Sequence, residues 1–110
     1  MTRSELKYGI GAIIAGFFLL TTLHVSQASS QTSVEFKKAV AAERKGDYQR
    51  AHYTFSILAG QGDPKAQHAL GRQYEFGHGV QANAQTAMQW YRRAADQGHA
   101  DSEYRLAVAY

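Results

Sequence analysis

Five histidines, His24, His52, His68, His78 and His99, are the side chains best suited to chemistry, because imidazole binds metal ions and moves protons near neutral pH. Their spacing argues against a metal. No two of them stand three or four residues apart, the separation that places two ligands on one face of a helix. Cysteine is absent, which removes a thiolate zinc site, a disulfide framework and a cysteine nucleophile. Gly77-His78-Gly79 lacks the lysine and hydroxyl of a phosphate loop and follows a helical pattern, not a strand. His78 therefore reads as a turn residue that tolerates an unusual φ. His52 lies beside a packing stripe, which suits a structural histidine. Asp96 and Asp101 fall at a turn, where capping or solvation suits them. With no nucleophile, base and orienter gathered by the pattern, the expectation is no enzyme, no metal and no cofactor.

At 110 residues and 45% hydrophobic content there is room for one small domain. Arg3 and Lys7 precede an apolar run from about Ile10 to Leu23, and polar HVSQASS follows. This is the layout of a secretory signal peptide over 1–28, with Ser26 and Ala28 as the small residues before a break at Ala28/Ser29. The run of about 14 residues falls short of the ~20 that span a bilayer. An uncleaved inner-membrane anchor facing the periplasm is the alternative, since tilting or thinning accommodates a short span. Either way the remainder is expected in the periplasm or secreted. The formal charge of +3 falls to +2 without Arg3, Lys7 and Glu5, and the basic residues are interspersed with acids. No basic stripe follows a phosphate backbone, so nucleic acid is not an expected partner.

Sliding the chain against itself by 36 residues pairs Ala59 with Ala95, Gln61 with Gln97, Gly62 with Gly98, Leu70 with Leu106 and Tyr74 with Tyr110. Ala51 falls on Ala87, and Phe55 on Tyr91. These are the small and aromatic positions that pack helices together. Ala87, Trp90, Tyr91, Ala94 and Ala95 make one helical stripe, with Asn83 as N-cap and Gly98 as terminator. Before it, Asp63 and Pro64 open a helix whose stripe is Ala66, Leu70 and Tyr74. Gly77 and Gly79 permit positive φ in the connection, and Val80 tucks back under the pair. Further upstream, Thr32 and Glu35 have capping-box spacing, and Tyr48, Ala51, Phe55, Leu58 and Ala59 form another stripe after the Lys45-Gly46-Asp47 turn. The pattern predicts helices at about 33–45, 47–60, 64–76, 84–97 and 100–110, after a flexible lead at 29–32. The domain at 33–110 then divides into a divergent repeat at 33–62, a full repeat at 63–98 and a partial one at 99–110.

Leu70-Gly71, Tyr74, Gly77-x-Gly79-Val80, Ala87, Trp90-Tyr91, Ala94-Ala95 and Gln97-Gly98 together resemble the consensus of the Sel-one-like repeat, a relative of the tetratricopeptide repeat. The resemblance covers 63–98 almost completely and 99–110 as the start of a next repeat. Residues 33–62 resemble it more loosely, because the short Gly46-Asp47 turn is closer to the tetratricopeptide version. Asn83 and Ala107 stand where the family more often has aspartate and glycine. The resemblance implies an all-α fold, a short right-handed solenoid of antiparallel helix pairs, and an adaptor that holds a peptide or another protein. Among bacterial members it implies export, with work in envelope assembly, signalling or host contact.

A solenoid leaves an extended groove on its concave side, lined by the first helix of each pair. Lys65, His68, Arg72 and Gln73 on the third helix, with Glu103 and Arg105 on the fifth, are the candidate partner contacts. Arg72 leads them, since a guanidinium clamps a carboxylate with two bonds. Trp90 and Tyr91 suggest an aromatic cage, but their place on the stripe favours packing. The last helix carries Tyr104, Leu106, Val108 and Tyr110 without a second helix after it. Residues 105–110 are therefore expected to form an association surface for a second copy or a partner, or else the frayed tail of a truncated product.

Overall fold

The computed structural model describes residues 29–109. The signal peptide expected over 1–28 and the final Tyr110 lie outside them. The chain divides into Met1–Ser33 and Val34–Tyr110. Of the first unit only 29–33 are described, and they are helical.

Five helices account for most of the described chain: α1 at 29–44, α2 at Tyr48–Gly60, α3 at Pro64–Phe76, α4 at Ala84–Ala95 and α5 at Ala100–Ala109. Their ends follow from local chemistry. The Asp47 side chain accepts from Arg50 N–H, Asp63 from Lys65 and Ala66 N–H, and Asn83 from Thr86 N–H, each satisfying donors that have no helical partner. Pro64 fills the first turn of α3, where its missing N–H costs nothing. Gly77 ends α3 at φ 73°, and its N–H returns to Gln73 C=O.

Two boundaries differ from the sequence pattern. Residues 29–32 are helical, not a lead, and Thr32 lies inside α1 instead of capping it, because no glycine or proline interrupts Ser29 to Glu35. α4 stops at Ala95, where the Asp96 N–H reaches Arg92 C=O and residues 96–98 turn, instead of continuing to 97. His78 is a correction of another kind. Among the described residues no side-chain-bearing residue has positive φ, and the flanking Gly77 and Gly79 take that conformation, at 73° and 78°.

Each helix packs on the next in sequence, as short connections dictate. Phe36 of α1 meets Phe55 of α2 at 5.6 Å between ring centres. The core is rich in alanine: Ala39, Ala42, Ala51, Ala59, Ala66 and Ala69 surround Phe55, Leu58 and Leu70, and Trp90 packs against them half-buried. Small side chains bring the helix backbones close together. Ala87, Tyr91 and Ala94 bury the inner stripe of α4, with Ala95 half-buried beside it. The loop after α3 rests on the start of α2, because a Cβ on Gly79 would lie 2.8 Å from the Tyr48 carbonyl oxygen. Val80 and Tyr74 are half-buried, and Gly98, at φ 83°, lies exposed in the turn before α5.

Candidate partner-binding surface

The odd-numbered helices share one charged face. Arg72 of α3 pairs with Glu43 of α1 at 3.6 Å, and Arg105 of α5 pairs with Glu75 of α3 at 3.4 Å. The two ion pairs therefore run across α1, α3 and α5. Both arginines keep much of their surface in water, 47% and 40% of the side chain, so each pair adds little to stability and can exchange its carboxylate for another. Lys65 and Glu103 are exposed on the same two helices, α3 and α5.

Gln73 is not part of this surface. It is completely buried, and the His52 Nδ1–H of α2 donates to its Oε1 at 2.9 Å, so the amide ties α2 to α3. Its Nε2 is buried without a partner. A partner contact at Gln73 is excluded by that burial. The neighbouring Gln67, also buried, donates to Ala59 C=O and accepts from Gln97 Nε2.

His68 is drawn inward as well. Its Nδ1 lies 2.7 Å from the hydroxyl of Ser102, and His99 Nδ1 lies 3.0 Å from the same oxygen. The Ser102 backbone N–H also points at His99 Nδ1, so that nitrogen accepts. The consistent arrangement has the His68 Nδ1–H donating to Ser102 Oγ and the Ser102 O–H donating to His99. Burial, then the adjacent His99 and then Arg72, hold His68 down at about 4, against a smaller opposing pull from Asp101. The ring is a neutral strut between α3 and α5. Beside it the Tyr91 hydroxyl donates to Glu75, and burial together with that bond pushes the phenol well above its usual value.

An aromatic patch adjoins the charged face. Phe76, at the end of α3, is 52% exposed, with the Arg105 guanidinium 5.7 Å above its ring and His78 at 6.0 Å. His78 in turn stacks on Tyr48 at 4.6 Å. The sequence carried a signal for Phe76, because it stands six residues past Leu70, off the Ala66–Leu70–Tyr74 stripe. An aromatic off the stripe has no packing role to occupy it. Chemically this face offers exchangeable guanidinium groups beside an apolar ring, a set that grips carboxylates and apolar side chains of a peptide. Among the described residues no group of three His, Asp or Glu side chains gathers as a metal site.

Residues 64–99 match the family model of the Sel1 repeat. The chain is 38% identical over 61 residues to an uncharacterized protein of Neisseria meningitidis serogroup B, an alignment that covers 56% of this chain and 13% of that protein. The crystal structure of a Sel1 repeat protein from Oxalobacter formigenes superposes with a TM-score of 0.64 at 32% identity, over 68% of this chain and 31% of that one. The chain thus spans less than a third of either relative.

Proposed function

We propose that this chain, which carries a Sel1 repeat at 64–99, is a non-catalytic adaptor that holds a protein or peptide on the face of α1, α3 and α5. The observation that carries the proposal is exposed Phe76 beneath Arg105, continuous with the Arg72–Glu43 pair. A helical solenoid presents extended faces that suit the binding of segments. The polar contacts are Arg72, Arg105 and Lys65, with Phe76 as the apolar anchor and His68 supporting from beneath. Export is part of the same proposal, supported by the basic start, apolar run and small residues at 26 and 28. The place of work is then the periplasm or beyond the cell, and an uncleaved anchor would hold it at the inner membrane.

Site-specific photo-crosslinking tests both parts in the cells that make the protein. A crosslinker at Phe76 should trap one reproducible partner, an Arg72→Glu/Arg105→Glu double variant should lose it, and Gln85→Glu, at an exposed position of α4, should keep it. If the double variant and the wild type trap the same proteins equally, this face is not the binding face. The N-terminal residue of the recovered chain reads the location: Ser29 after cleavage, Met1 with an anchor.

A further inference from the structure

Among the described residues, the first and last helices each present a face that no other helix covers, and the two faces are opposite in charge. On α1, Phe36, Val40 and Ala41 floor a shallow depression rimmed by Lys37, Arg44 and Lys45. These three cations are exposed and have no ion pair among the described residues, since Glu43 is held by Arg72 and Glu35 by Lys38. On α5, Tyr104 and Val108 are 68% and 66% exposed. Asp101, Tyr104 and Val108 follow the i, i+3, i+7 rule for one helix face, and Glu103 flanks them. Neither carboxylate forms an ion pair among the described residues.

We propose that these faces bind each other between copies, the α5 face of one chain docking head to tail on the α1 face of the next. Tyr104 and Val108 cover Phe36, Val40 and Ala41, while Asp101 and Glu103 reach Lys37, Arg44 and Lys45. Charge selects this pairing over the symmetric ones. Two α5 faces together would oppose Asp101 and Glu103 to themselves, and two α1 faces would oppose their cations, both unfavourable in a desolvated contact. The contact uses 101, 103, 104 and 108, not the whole of 105–110, because Arg105 is paired with Glu75 and Leu106 is half-buried. A contact between unlike faces does not close on a two-fold axis, so copies add end to end. One helix face on another is a small interface, so each junction is weak and sensitive to concentration and salt. Stacking in this direction lengthens the row of helices, and the proposal stands independently of what that row binds.

The chain has no cysteine, so introduced thiols report the contact without background. The full chain carrying both Ala41→Cys and Val108→Cys is oxidised after gentle extraction and run on a non-reducing gel. A head-to-tail contact gives a ladder from the double variant, only dimers from a mixture of the two single variants, and monomers from either single variant alone. Adding Glu103→Lys should reduce the cross-link by about tenfold, and Lys45→Glu on the same chain should restore it. Far-UV circular dichroism shows whether each variant retains its helices. A folded double variant that stays monomeric overturns the proposal, as does a Val108→Cys chain that dimerises by itself as fast as the mixture, or a ladder unaffected by Glu103→Lys.

Discussion

The ring of Tyr91 lies against the backbone of Gly71, so closely that a methyl group there would sit 2.5 Å from Cε1 and 2.6 Å from Cδ1. This glycine lies inside helix α3, where its flexibility is a cost; it is present because α4 approaches too closely for any side chain. The Tyr91 hydroxyl is tied to Glu75, one turn beyond Gly71 on the same helix, and this bond holds the ring over Gly71.

Gly71→Ala should therefore destabilise the protein by about 1–3 kcal/mol, despite alanine's better helix propensity of about 1 kcal/mol. Gly60→Ala is the control. At the end of α2 nothing lies within 4 Å of its added Cβ and its φ is ordinary, so the change should be neutral or slightly stabilising. Urea unfolding of the two variants separates overpacking from propensity; equal midpoints would show that α4 does not press on Gly71.

The buried Gln73–His52 bond supports a second prediction. Gln73→Leu leaves the His52 Nδ1–H without its acceptor, and His52→Leu leaves Gln73 with no partner in the core, so each alone should cost about 1–3 kcal/mol. The double variant replaces both polar groups by apolar ones. It should cost clearly less than the sum of the two, and a double-mutant cycle on thermal or urea unfolding measures the difference. Strict additivity would mean that the bond does not hold α2 to α3.

Gln73 also marks where the sequence stops being legible. Caps and turns at Asp63, Pro64, Asn83 and Gly98 were readable because each acts on residues within one turn of itself. Gln73 lies three residues after Leu70, on the buried side, yet its polar type disguised it. What makes its burial tolerable is His52, 21 residues away on another helix. Ser102 was legible in principle, since the 36-residue offset places it on Ala66, and both are completely buried. Arg72 is exposed and Arg105 half-exposed, and their pairing with Glu43 and Glu75 depends on helix packing that no local spacing encodes.

The His68–Ser102–His99 strut makes the docking of α5 sensitive to acid. His68 binds a proton at about 4 in the folded chain against 6.5 when unfolded, so between those values the unfolded state holds more protons. Stability from the neutral ring is fully present above about 6.5 and falls as pH drops toward 4. A proton on His68 would face Arg72, Arg105 and His99, with Asp101 as the compensating negative charge. Because the ring is only half-buried and keeps part of its hydration, the loss should be on the order of 1–2 kcal/mol. His68→Gln removes the titrating group, so its melting temperature should fall less steeply than wild type from pH 6.5 to 4.5, above the range where most carboxylates protonate. Parallel curves for the two proteins over that interval would show that His68 is not the proton acceptor that loosens α5.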